Sequence, residues 1–278
     1  MRNEEVKNMS ESINCGRNVG EIKYKVLNPG GNKTALVNGS EYTDNQKKLI
    51  NKMIMEENSR VEQVGFLSNK TNRLEMAGGE FCMNGTRCAV YEYLGGKGGE
   101  IEISVSGTDK MILGKVLNDK KVEIQLDIGK NIADLYEIKN DFTCIKIDGI
   151  LIAILNEEKS KTYIQKLNEN EEETKNELKQ LMITELDSKE KAIGIILLEK
   201  ELKKVKINPI VWVKAIDTVF YETACGSGSL GTAIYNYLKN KDKRIEIIQP
   251  SGYSINVELK ENKNYIEKAI ISGIVEEE

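Results

Sequence analysis

The sequence predicts an α+β protein made of two similar halves. Three observations carry that prediction. Strand-like runs, β-branched and alternating apolar with polar, recur from Ile22 to Val275. Helical patterns are few by comparison. One pattern also occurs twice, as GGEFCMNGTRCAVYEYL around Cys82 and YETACGSGSLGTAIYNYL around Cys225. Each copy places a glutamate before a cysteine, then C-x-x-G, then Ala-[Val/Ile]-Tyr-x-Tyr-Leu over Ala89–Leu94 or Ala233–Leu238. The two cysteines lie 143 residues apart in a chain of 278, close to half its length. A duplicated unit is the economical explanation.

The elements follow in order. Residues 1–20 are polar and lack an apolar h-region, so they read as a flexible leader, not a secretion signal. Strands are expected over Ile22–Val26, Thr34–Val37, Val61–Leu67, Glu100–Val105, Met111–Val116 and Lys121–Leu126. Further strands are expected over Cys144–Leu155, Ala192–Leu198, Val205–Ile216, Arg244–Gln249, Tyr253–Leu259 and Tyr265–Val275. Thr43–Glu57 reads as a helix with a capping threonine and Leu49, Ile50, Met53 and Ile54 on one face. Lys161–Met182 reads as a charged surface helix or helix pair, with 168–175 as a solvated face or loop. The domains expected are 21–120, carrying Cys82, and 121–264, carrying Cys225. The strand over 265–276 is free to join the first.

Composition excludes several function classes. Forty Lys+Arg against 44 Asp+Glu leave no basic excess for a nucleic-acid partner. The longest apolar runs fall well short of the ~20 residues a membrane helix needs. Histidine is absent, which removes Ser-His-Asp and Cys-His catalysis, His-ligated zinc and imidazole acid–base chemistry. The five cysteines, Cys15, Cys82, Cys88, Cys144 and Cys225, form no CxxC pair and are odd in number. A disulfide scaffold or zinc site is therefore not expected, and reduced thiols in the cytoplasm are. Cys15, Cys88 and Cys144 read as small apolar residues. Asn28-Pro-Gly-Gly-Asn32 lacks the lysine of a phosphate loop and reads as a turn.

Cys82 and Cys225 differ from the rest, because each ends a strand and opens a helix through a glycine-containing turn. A helix N-terminus favours a thiolate, so both thiols are expected at lowered pKa. The N–H groups of Met83, Asn84 and Gly85, and of Gly226 to Ser229, form sites for a carboxylate. Two such helix starts meeting in one cleft suit inversion at an amino-acid α-carbon. One thiolate removes the α-proton, the opposite thiol returns one, and the N–H groups hold the carboxylate. No cofactor enters. A regulatory disulfide, or an amino-acid-binding protein without catalysis, is the reading from another class.

These residues resemble the diaminopimelate epimerase superfamily of pyridoxal-phosphate-independent racemases, whose relatives include proline racemase and the PhzF-type isomerases. The family pattern is a first cysteine followed by Gly-Asn-Gly and Arg-Cys, and a second in Ala-Cys-Gly-Thr-Gly. Here the stretches are Cys82-Met-Asn-Gly-Thr-Arg-Cys88 and Ala224-Cys225-Gly-Ser-Gly228. PhzF-type relatives lack the cysteine pair, which counts against that branch. The resemblance implies two pseudo-symmetric domains, each a curved, mostly antiparallel sheet around a central helix, with the active site between them. It also implies Cys82 and Cys225 as proton donors and acceptors. Asn32, Gln63, Met83, Asn84, Gly85, Gly226, Ser227 and Gly228 would bind substrate, and Glu222 would stand in the side-chain pocket.

The departures narrow the substrate. An asparagine upstream of the first cysteine is replaced by Met76, and the Gly-Asn-Pro-His element by Gly149-Ile150. The arginine expected in the segment before the second cysteine is Thr218, within Asp217-Thr-Val-Phe-Tyr-Glu-Thr223. Losing a bidentate clamp removes recognition of a second carboxylate. The pattern is similar to that of the histidine racemases, so a free amino acid, histidine first, is the expected substrate. Diaminopimelate epimerase is the runner-up, and a homodimer is left open.

Overall fold

The computed structural model describes residues 22–39, 42–117, 120–186, 188–201 and 204–278. The leader, with Cys15, lies outside the described residues. The chain is a mixed α+β fold in which the described strands form one hydrogen-bonded sheet of 17, with six α-helices packed on it.

In the first part of the chain, β1 (Tyr24–Asn28) and β2 (Thr34–Asn38) form a hairpin, and α1 (Asp44–Glu57) leads to β3 (Gln63–Ser68), parallel to β2. Thr43 caps α1, and Gln46 reaches back to complete a capping box. β3 pairs antiparallel with β4 (Arg73–Met76). Helix α2 (Met83–Tyr93) then crosses so that β5 (Gly99–Val105) runs parallel to β4. β6 (Met111–Val116) and β7 (Lys121–Asn131) follow as antiparallel neighbours.

The second part begins with α3 (Ile132–Leu135), β8 (Tyr136–Lys139), β9 (Phe142–Ile147) and β10 (Ile150–Leu155). Helices α4 (Glu157–Glu169) and α5 (Glu171–Leu181) lead to β11 (Ala192–Glu201), parallel to β10. β12 (Lys204–Val213) pairs with β11 and with the short β13 (Thr218–Tyr221). Helix α6 (Gly226–Asn240) crosses to β14 (Arg244–Ile248), parallel to β12, and β15 (Ser254–Asn262) and β16 (Tyr265–Ile274) complete the run. β16 pairs with β7 and so joins the two runs, and β17 (Glu276–Glu277) returns to β1.

Helices α2 and α6 are the buried ones. Met83 to Tyr91 are buried without interruption, as are Gly226 to Ile234, and both helices share one apolar core. Two outer layers have their own cores. Ile50 and Ile54 of α1 cover β1–β3, while Leu167 and Leu178 of α4 and α5 cover the outer face of β9–β12. β10 is therefore buried on both faces, which is why Ile150–Leu155 is an unbroken apolar run.

Several sequence expectations needed correction. The single strand over 144–155 is two, divided by a turn at Asp148-Gly149 where Gly149 has φ 80°. The stretch 168–175, expected as a solvated face or loop, is largely a solvated helical face, broken only at Asn170, which ends α4 and caps α5 by accepting from the Glu173 N–H at 3.2 Å. The strand over 205–216 stops at Val213 and gives way to a 3₁₀ turn. β4, β8 and β13 are four residues each, too short for a period-2 pattern to register.

Candidate active site

The two cysteines start the two buried helices in the same way. Cys82 is extended (φ −118°, ψ 113°) and its Sγ accepts the Gly85 N–H at 3.3 Å. Cys225 is extended (φ −137°, ψ 107°) and its Sγ accepts the Gly228 N–H at 3.2 Å. Each sulfur thus fills the place a serine oxygen usually takes at an N-cap. The N–H groups one and two residues on, Met83 and Asn84 in one helix and Gly226 and Ser227 in the other, have no carbonyl partner within their helices, and that of Asn84 also reaches the Cys82 sulfur. All four residues line one cleft together with both cysteines.

The two helix starts touch. A Cβ at Gly226 would lie 2.7 Å from Met83 Cβ and 3.2 Å from Asn84 Oδ1, so only glycine permits the approach. Asn84 Nδ2 and Asn32 Nδ2 both donate to the carbonyl of Ala224, at 2.9 and 3.0 Å, which fixes the residue before Cys225. Behind them Arg87 is fully buried and donates to Asn84 Oδ1 (2.8 Å), the Pro29 carbonyl (3.0 Å) and the Ile274 carbonyl (3.2 Å). Burial lowers its guanidinium to about 10.

The cleft holds about 610 Å³ of empty space, part of it open to solvent, and its charged lining is wholly acidic. Glu62, Glu80 and Glu222 contribute carboxyl groups, and among the described residues no lysine or arginine belongs to the lining. Glu62 is gripped from across the cleft by Thr223, through its N–H at 3.0 Å and its hydroxyl. Glu222 is hydrogen-bonded to the Cys225 thiol and to Asn32. Burial, reinforced by the charges of Glu62 and Glu80, lifts its carboxyl to about 8. Burial also raises Glu80, against the opposing effect of the Gly78 and Glu80 N–H groups and Lys191.

The thiols do not match the lowered pKa expected from their helix positions. Cys82 donates to Gln63 Oε1 at 2.9 Å, and burial followed by the charge of Glu222 pushes its pKa well up. Cys225 is raised for the same two reasons, in the same order. The N–H bonds from Gly85 and Gly228 offset only part of this. Desolvation in a tight cleft beside carboxylates outweighs the helix dipole. Both cysteines are free thiols, as are the buried Cys88 and Cys144.

Of the residues expected here, Asn32, Gln63, Met83, Asn84, Glu222, Gly226 and Ser227 line the cleft with the cysteines. Gly85 and Gly228 stand behind, holding the sulfurs. The pocket expected from 217–222 is largely displaced. Asp217 is exposed, receiving the Trp212 indole N–H at 2.9 Å and pairing with Lys179 at 2.8 Å. Tyr221 faces the outer layer and donates to Asn208 at 2.7 Å, and Thr218 is not in the lining. Strand alternation leaves Phe220 and Glu222 facing inward. Glu62 and Glu80 were not anticipated as site residues, although Glu80 is the glutamate of the repeated pattern. Among the described residues no group of three or more Cys, Asp or Glu side chains could hold a metal ion. No helix among them is long and apolar enough to cross a membrane.

A family model described as the histidine racemase CntK N-terminal domain matches residues 21–277. The chain belongs to that family. A histidine racemase of Fusobacterium nucleatum is 29% identical over 253 residues, covering 85% of this chain and 89% of the relative. Two solved structures share the fold at low identity. A predicted epimerase from Pseudomonas aeruginosa superposes with a TM-score of 0.61 at 12% identity, covering 93% of this chain and 97% of its own. A hydroxyproline epimerase from Agrobacterium vitis superposes with a TM-score of 0.57 at 9% identity, covering 92% and 89%.

Proposed function

We propose that this amino-acid racemase interconverts L- and D-histidine by proton transfer at two cysteines, without a cofactor. The observation that carries the reading is the convergence of two N-capping thiols, with the first turns of both helices, on one cleft. The α-carboxylate would bind the N–H groups of Met83, Asn84, Gly226 and Ser227, which also stabilise the charge it gains as the α-carbon is deprotonated. Glu222 takes the Cys225 proton, to which it is already hydrogen-bonded. The Cys225 thiolate then removes the α-proton, and Cys82 delivers its thiol proton to the opposite face. The α-carbon is inverted, Cys82 is left as the thiolate, and the reverse reaction starts from that state. Because the resting thiols are raised, the substrate's α-ammonium entering among three carboxylates is what favours ionisation.

The recurrence of strand, parallel strand and cysteine-capped helix in both parts of the chain supports two related halves, 21–120 and 121–264. β16 lies between β15 and β7, both within 121–264, while β17 just beyond it pairs with β1 of the first half. Reactive thiols of this kind suit the reducing cytoplasm. Histidine fits because an acidic lining without a basic residue accepts an imidazole and offers nothing to a distal carboxylate. Burying an unpaired carboxylate costs several kcal/mol, so diaminopimelate should be disfavoured at least ~100-fold. The test is α-proton exchange in D2O with single amino acids, followed by NMR. Exchange of L- and D-histidine ahead of diaminopimelate, glutamate and aspartate is the expected result. No exchange with any amino acid would instead favour a binding or redox-sensing protein.

A further inference from the structure

We propose that Glu80 is the specificity-determining residue of the cleft, receiving the N–H of a cationic or heteroaromatic substrate side chain. This rests on the racemase reading above and adds to it an assignment for one carboxylate. The three glutamates of the cleft are not equivalent. Both oxygens of Glu62 are taken by Thr223, one by its hydroxyl and one by its N–H. Glu222 is occupied by the Cys225 thiol and Asn32. Glu80 alone keeps an oxygen, Oε2, that is sealed from solvent and has no hydrogen-bond partner. A buried acceptor left bare is costly unless something arrives to satisfy it.

The surroundings hold that oxygen in place. The Gly78 and Glu80 N–H groups bond the carboxylate. The loop beneath is tied by the Ser106 hydroxyl, which donates to the Glu80 carbonyl at 2.8 Å and accepts the Met76 N–H at 2.9 Å. A Cβ at Gly78 would lie 2.5 Å from Glu80 Oε2, so glycine there keeps the carboxylate in its tucked position. Lys191 closes the outer side by donating to the Gly79 carbonyl at 2.9 Å. The apolar side chains of Phe81, Val213 and Ile216 line the same cleft and would flank a flat ring. A planar group with an N–H would suit both that oxygen and these flanking side chains, whereas hydrocarbon and carboxylate side chains bring no donor.

The probe is imidazole, the side chain without the reacting centre, titrated into the full-length protein at pH 6 by NMR. The wild-type protein should bind it, and Glu80→Gln and Glu80→Asp should each weaken binding at least ~10-fold, as expected for loss of a charged hydrogen bond. The same variants should lower the ratio of α-proton exchange rates, histidine over alanine, by at least ~10-fold. Unmeasurable imidazole binding by the wild type overturns the assignment. So does affinity within twofold of wild type in a variant that retains its fold by circular dichroism. These outcomes are separate from failure of the racemase reading, which would appear as absence of exchange in the wild type.

Discussion

Replacing Glu222 with glutamine should make the unliganded protein more stable at alkaline pH while removing most of its activity. Burial lifts the Glu222 carboxyl from 4.5 to about 8, so the folded protein holds this proton more tightly than the unfolded chain does. A group raised in this way contributes its full stability below the unfolded value of 4.5. It loses that contribution as the pH climbs to about 8. At ~1.4 kcal/mol per pKa unit, the full swing is on the order of 5 kcal/mol. Above pH 8 the wild type carries a buried charge beside two other carboxylates, and glutamine has the same shape without it. Urea unfolding from pH 5 to pH 9 measures the difference. The two proteins should agree within ~1 kcal/mol at pH 5, with the variant ahead by ~2 kcal/mol or more at pH 9. Over the same range α-proton exchange in the variant should fall at least ~100-fold, since Cys225 has lost its proton acceptor. The wild-type rate should decline as the pH drops below about 8, where Glu222 is protonated, and the variant should lose that limb. Parallel stability curves for the two proteins, or undiminished exchange in the variant, would refute the reasoning.

The remaining predictions concern the cysteines and their packing. Cys82→Ser and Cys225→Ser should each slow racemisation ~10³-fold with stability changed by less than ~1 kcal/mol, because serine is itself a good N-cap; near wild-type rates in either would end the two-thiol assignment. Oxidation of the empty enzyme should couple Cys82 to Cys225 slowly at pH 7 and faster at pH 9, since burial keeps both as thiols. Dithiothreitol should restore activity and histidine should protect it, and full activity at pH 9 with no crosslinked peptide by mass spectrometry would count against a shared cleft. Gly226→Ala would press a methyl to 2.7 Å from Met83 Cβ. It should cost ~1–3 kcal/mol and reduce turnover by forcing the helix starts apart, and an unchanged melting temperature and rate would argue that they already have room.

How much of the fold was legible depended on how local each signal was. The capping box at Thr43 and the alternation through β5–β7 depend on neighbours in sequence, and both were readable. The break between β9 and β10 depended on Asp148-Gly149 just ahead of the apolar run Ile150–Leu155, and that run is apolar because it is covered on both faces by segments from elsewhere in the chain. The split between α4 and α5 turned on one exposed residue, Asn170, whose side chain caps α5. Four-residue strands offered too few positions for any period to show.

The site divides along the same line. Cys82 and Cys225 were legible because the repeated pattern places each at a strand-to-helix turn, which is local geometry. Their ionisation was not, because it is set by burial and by Glu222, with Glu80 adding its charge at Cys82, and burial depends on segments far apart in sequence. The substrate argument shows the difference most clearly. The absence of arginine at Thr218 pointed toward a side chain without a carboxylate, yet Thr218 does not line the cleft, and strand alternation turns Tyr221 outward as well. On the proposed reading, what would disfavour a distal carboxylate is the lining itself: three carboxyl groups, no basic side chain among the described residues, and Arg87 and Arg73 engaged elsewhere, one by backbone carbonyls and Asn84, the other by Glu75. Supplying that missing cation is thus a direct test of cause. A lysine or arginine introduced at Glu80 should bring glutamate exchange up relative to histidine if charge in the cleft decides the substrate. If shape alone decides it, the ratio should not move.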